Sequence, residues 1–86
     1  MEETDIIIPE LNYDKLKGRI KEKLGTQDKL AEKLETNEAT ISYKLNNKTY
    51  FMQRDIIKIC NILSINFEEI PIYFFTLKVR ENEQNQ

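Results

Sequence analysis

The sequence predicts a mostly α fold: a bundle of four to five short helices, followed by an extended C-terminal segment that reads as a β-strand. Three observations carry that expectation. Apolar residues recur at helical spacing in four runs: Leu16, Ile20 and Leu24; Leu30, Ala31 and Leu34; Ile41 and Leu45; Ile56, Ile59, Cys60 and Leu63. Residues that start or stop helices flank the first three runs, namely Asn12, Gly25, Thr26 and Asn37. A chain of 86 residues buries only about 60–65% of its unfolded surface, so one compact helical core is the most it can build.

Taken in order, residues 1–11 show no helical period, and Pro9 disfavours helix at Ile8, so this stretch reads as an extended arm. Asn12 is placed to cap a first helix running to about Leu24, and Gly25 suits the left-handed residue that ends it. Gly18 inside that helix costs up to about 1 kcal/mol relative to alanine, which a close approach of another backbone would explain. Thr26 caps the second helix, the turn is Glu35-Thr36-Asn37, and Asn37 caps a third helix over about residues 37–46. Asn46-Asn47 ends it, because asparagine tolerates positive φ better than most residues. A fourth helix spans about Gln53 to Leu63, with Met52 standing where a Ser or Thr cap is expected.

Asn66-Phe67-Glu68-Glu69 has the spacing of a capping box, but Pro71 follows so closely that one short turn is expected. Ile72 to Arg80 then reads as extended. Tyr73, Phe75, Leu77 and Val79 fall on one side and Ile72 and Phe74 on the other. Residues 81–86 are polar and read as a frayed end. The resulting division is an arm at 1–11, a helical domain at 12–70, and an extended segment with its tail at 71–86.

Charge is unevenly spread. The net charge is −2, yet residues 12–50 hold nine bases (Lys15, Lys17, Arg19, Lys21, Lys23, Lys29, Lys33, Lys44, Lys48) against six acids. Residues 1–11 hold four acids and no base, and residues 51–86 hold four bases against five acids. The basic share therefore lies on the first three helices.

Several function classes are excluded or disfavoured by residue type. The chain has no histidine and one cysteine, and no metal-ligand spacing occurs. Glycine stands only at positions 18 and 25, so there is no phosphate-cradling loop. Catalysis and a bound cofactor are not expected. Cys60 reads as a small buried apolar residue, and a lone cysteine suits a reducing cytoplasm. No apolar run approaches the roughly 20 residues of a membrane span, and Ile6-Ile7-Ile8 is too short for a signal peptide.

The informative stretch is Thr26–Lys48, two short helices joined by a tight turn. Gln27 opens the first, Ala31 is small where the second must cross closely, and Ile41 is the apolar plug of the second. The exposed face of that second helix carries Glu38, Ala39, Thr40, Ser42 and Tyr43, short or planar groups suited to base edges. Glu38 can accept from a cytosine amino group, and Ala39 can touch a thymine methyl. Lys44 and Lys48 stand on a basic rim beside them. That pattern points to a helix-turn-helix that reads duplex DNA in the major groove.

The same segment resembles the Cro and repressor group of phage helix-turn-helix proteins, the Xre family, over roughly residues 13–65. Tyr13-Asp-Lys-Leu-Lys-Gly-Arg-Ile-Lys-Glu-Lys, Gly25-Thr-Gln and Tyr73-Phe-Phe-Thr more narrowly resemble short phage and prophage proteins of low-GC Gram-positive bacteria. The resemblance implies a lambda-repressor-like bundle and a transcriptional regulator that binds operator DNA as a symmetric dimer. It also implies roles: Gln27 on a phosphate while bracing the recognition helix, Glu38, Ala39, Ser42 and Tyr43 toward base edges, and Thr40 beside them near the backbone. Asn46, Asn47 and Lys48 would clamp the next phosphates. Three departures stand out: Glu35 holds a turn position where glycine is usual, Glu38 is acidic where a neutral donor is frequent, and Met52 stands where the fourth helix would have a Ser or Thr cap.

Two partner questions follow. The same helix-turn-helix surface could bind a second phage regulator instead of DNA, making the chain an antirepressor or corepressor; Glu35 and Glu38 favour this, and Lys44, Lys48 and the basic first helix oppose it. The C-terminal strand is expected to build a homodimer, by pairing with its copy across a two-fold axis, or else to pair with the Asp5–Ile8 arm. The competing expectation is that Phe74, Phe75 and Leu77 fold back to cap the monomer's core.

Overall fold

A computed structural model of the chain describes residues 9–79. The arm before Pro9, its Asp5–Ile8 pairing and the polar end from residue 80 onward lie outside them. Five helices follow one another: α1 Asp14–Leu24, α2 Gln27–Lys33, α3 Glu38–Leu45, α4 Gln53–Leu63 and α5 Ile70–Phe74, the last entered through a 3-10 turn at Phe67–Glu69. α2 packs on α3, and α1 lies against α2, α4 and α5.

The stripes read from the sequence supply the centre of the core. Leu16 and Ile20 of α1, Leu30 and Ala31 of α2, Ile41 and Leu45 of α3, and Ile59, Cys60 and Leu63 of α4 are all buried. Leu24, Leu34 and Ile56 pack on them partly covered. Tyr13, Ile65, Tyr73 and Phe74 complete the core. Phe51 joins Tyr13 and Phe74 edge-to-face, with centroids 5.5 and 5.6 Å away and planes near perpendicular, the arrangement the ring quadrupoles favour.

Caps close the helices much as expected. Thr26 accepts the Lys29 N–H at 3.2 Å, and Asn37 accepts the Thr40 N–H at 2.9 Å. Three helix ends turn through left-handed residues: Glu35 (φ 60°), Asn47 (φ 64°) and Ser64 (φ 57°). In each, the next residue's N–H returns to a carbonyl five residues back: Thr36 to Ala31, Lys48 to Tyr43, Ile65 to Cys60. Gly25 ends α1 at φ 91°. Met52 offers no capping oxygen, but the Asp55 carboxylate accepts its N–H at 3.1 Å. The Arg19 guanidinium serves the far end of α4, donating to the Leu63 and Ser64 carbonyls at 3.0 and 2.9 Å.

Four expectations are corrected. α1 begins one residue later than an Asn12 cap would have it: Tyr13 is the cap residue, and Asn12 instead accepts the Asp14 N–H at 2.8 Å. Gly18 marks no close approach, since a Cβ there would meet nothing within 4 Å. Residues 72–74 are helical, not a strand, and the boundary placed at Pro71 falls inside α5. Pro71 starts that helix because its fixed φ and missing N–H suit the first turn. The helix turns Tyr73 and Phe74 together into the core, where strand alternation would have separated them. What remains extended is short: Leu11 and Leu77 form an isolated antiparallel bridge, flanked by Asn12 N–H to Thr76 carbonyl (2.7 Å) and Lys78 N–H to Glu10 carbonyl (3.0 Å). Phe74 thus caps the core, while Phe75 and Leu77 stay exposed.

Candidate regulatory surface of the helix-turn-helix

α2, the turn and α3 set the geometry of the surface. Ala31 is 1% exposed in α2, which packs on α3, and its single methyl permits a close approach of the two. Ile41 and Leu45 pin the inner side of α3. Its outer side is left to Glu38, Ala39 and Tyr43, all exposed, with Thr40 and Ser42 half-buried beside them. Asn46 and Lys48 are exposed after the helix, and Gln27 is half-buried at the start of α2.

Several side chains are already engaged within the chain. The Thr40 hydroxyl donates to Asn37 Oδ1 at 3.0 Å. Asn46 Nδ2 donates to the Ser42 carbonyl and hydroxyl at 2.9 and 3.2 Å, folding its amide onto α3. Lys44 is drawn away from the outer face: its ammonium donates to the Tyr50 carbonyl at 2.9 Å and lies 3.6 Å from Asp55 Oδ2. It also sits 5.9 Å from the Phe51 ring centroid. Asn47 is turned onto the N-terminal segment, its Oδ1 accepting the Leu11 N–H and its Nδ2 donating to the Leu11 carbonyl, both at 2.9 Å.

The ten residues singled out in the sequence therefore divide. Gln27 and Glu38 line one open groove together with Lys17, Lys21 and Thr26. Ala39, Thr40, Ser42 and Tyr43 continue along α3, and Asn46 and Lys48 follow its end. Lys44 and Asn47 are committed inside the fold, which no local pattern announces because Asp55 and Leu11 lie 11 and 36 residues away. Lys17 and Lys21 are the residues the motif reading left unnamed. Their four-residue spacing on α1 was the available signal, since it sets both on one helix face.

The described residues hold no cluster of three or more His, Cys, Asp or Glu able to take a metal ion. None of their helices is long and apolar enough to cross a membrane. Burial pushes the Cys60 thiol above its ordinary value, so this buried sulfur is held as the neutral thiol.

No curated protein matches the chain. Among solved structures, the chain is similar to the modulator of repression (MOR) of the temperate bacteriophage TP901-1 from Lactococcus lactis, determined in solution. The two are 40% identical with a TM-score of 0.69, over 81% of this chain and 95% of that one. This kinship is with a short phage regulator, whereas the wider likeness to the Cro and repressor group rests on the helix-turn-helix residues. Residues 10–77 match the family described as protein of unknown function (DUF739), and the chain belongs to that family.

Proposed function

We propose that the chain is a temperate-phage regulator that modulates repression by docking the outer face of α3 on another phage regulator. The observation that carries this reading is the withdrawal of Lys44. With its ammonium held by Asp55 and the Tyr50 carbonyl, the outer face of α3 presents a carboxylate, a methyl, a hydroxyl and an aromatic ring, and no cation. Tyr43 is 57% exposed, the kind of planar, amphipathic residue that anchors protein interfaces. Glu38, exposed in the first turn of the same helix, fits a basic partner surface and repels phosphate. The name of the phage relative, a modulator of repression, agrees with this role.

A second reading, sequence-specific operator binding by α3 in the major groove, is favoured by one feature. Lys17 and Lys21 flank Gln27 along the groove, and Lys48 follows α3, so the face has cationic edges where phosphates would lie. In that reading Glu38, Ala39, Ser42 and Tyr43 contact bases, with Thr40 at their margin, and Gln27, Asn46 and Lys48 contact phosphates.

Gel shifts at two salt concentrations separate the two. The duplex is taken from the phage's own control region, with and without the repressor encoded beside it. Protein docking predicts that the chain alters the repressor's shift and gives no salt-dependent shift by itself. A shift by the chain alone that weakens steeply with salt would support the DNA reading instead.

A further inference from the structure

Lys44 and Asp55 meet across the gap between α3 and α4. The ammonium lies 3.6 Å from Asp55 Oδ2, with the two side chains 15% and 25% exposed, and it donates to the Tyr50 carbonyl at 2.9 Å. The same Asp55 oxygen accepts the Met52 N–H at 3.1 Å and so caps α4. Capping alone needs only an acceptor, and an amide oxygen serves a capping box as a carboxylate does. The charge of Asp55 therefore has a further effect, and the cation within its reach is Lys44. A largely covered ammonium that loses its carboxylate is left as an uncompensated charge and moves toward water. Lys44 stands one turn after Thr40, and both line the hollow between the helices with Thr36, Phe51 and Asp55. A released Lys44 thus comes out at the Thr40 margin of the α3 outer face.

We propose that Asp55 sets the class of partner that α3 accepts: by holding Lys44 inside the fold, it keeps the outer face a protein-docking surface and bars duplex nucleic acid. The inference rests on the docking reading above and adds to it a residue outside the helix-turn-helix. The two flanks of α3 differ. On the flank toward α1, Lys17 and Lys21 line the groove beside Glu38. On the flank toward α4, Lys44 is the cation that α3 itself could supply, and Asp55 withholds it. A helix seated in a major groove has a phosphate row on either side, so cations on both flanks favour duplex and a cation withheld from one disfavours it.

Fluorescence anisotropy with a random-sequence DNA duplex at several salt concentrations tests this, with circular dichroism to check that each variant folds. Asp55→Asn keeps the capping oxygen and should bind the duplex about tenfold tighter than the parent, with a salt slope steeper by about one. Asp55→Glu, a usual capping-box residue, keeps the charge and should bind as weakly as the parent. Lys44→Gln added to Asp55→Asn should abolish the gain, which separates a released lysine from the mere loss of an acid. Asp55→Asn that binds no tighter than the parent, or a double variant that keeps the gain, would overturn the proposal. The neighbouring phage repressor reports separately on the docking reading. Failure of the Asp55 assignment leaves the loss of repressor binding in Tyr43→Ala intact, whereas failure of the docking reading removes that loss.

Discussion

The side-chain amide of Asn47 copies a β-ladder onto the backbone of Leu11, giving one hydrogen bond and taking another, each 2.9 Å long. Asn47 is also the left-handed residue that ends α3 (φ 64°). One residue thus stops the helix and ties its end to the segment that pairs with residues 76–78. Asn47→Gly keeps the backbone freedom and removes both bonds, so it should cost about 1–2 kcal/mol. Asn47→Ala adds left-handed strain of about 1 kcal/mol more. Urea unfolding checks the ordering, and an alanine variant as stable as the glycine variant would contradict it.

Glu35 carries positive φ (60°) with its side chain exposed. Glu35→Gly relieves that strain and loosens the unfolded chain, and the first effect is the larger. The variant should gain up to about 1 kcal/mol, read as a higher melting temperature. A lower one would show that Glu35 contributes something beyond its backbone geometry.

Arg19 joins α1 to the end of α4 through two carbonyls. Lysine keeps the charge but lacks the fork, so Arg19→Lys should cost about 1–2 kcal/mol. Denaturant unfolding measures it. Loss in the lysine variant as large as in Arg19→Ala would confirm that geometry matters more than charge.

The helix boundaries were legible because their causes are local: Thr26 and Asn37 cap through their own side chains, and Gly25, Glu35 and Asn47 sit where the chain must turn left-handed. α5 was not. Ile72, Tyr73, Phe74 and Phe75 have strand-forming side chains, and Pro71 looks like a stop until its place in a first turn is seen. Tertiary burial of Tyr73 and Phe74 overrides the local preference. On the α3 face, Glu38, Ala39, Ser42 and Tyr43 were legible as an exposed set. The diversion of Lys44 to Asp55 and of Asn47 to Leu11 depends on contacts that only folding creates.

Ala31, 1% exposed in α2, has no room for a longer side chain against α3. Ala31→Leu should overpack the contact and cost about 1–3 kcal/mol. An unchanged melting temperature would mean that the two helices do not meet at this methyl.

Alkaline pH should weaken the fold. Burial raises the Cys60 thiol above 9.0 and the Tyr13 phenol above 10.0. Near pH 7, well below both ordinary values, both groups are neutral in folded and unfolded chains, and the full stability is present. As pH rises further the unfolded chain ionises first, so stability falls. Unfolding followed from pH 7 to 10.5 should show this decline, and Cys60→Ala should make it shallower. Stability that rises over the same range would contradict the assignment.

The α3 docking face is tested most directly by titrating the isotope-labelled chain with the neighbouring phage repressor and following each backbone amide by NMR. The account predicts shifts concentrated from Glu38 to Asn46 and at Gln27, and a Tyr43→Ala chain that keeps its fold but binds about tenfold or more weakly. Shifts confined to other surfaces, or a repressor that leaves the spectrum unchanged while control-region DNA perturbs α3, would contradict it.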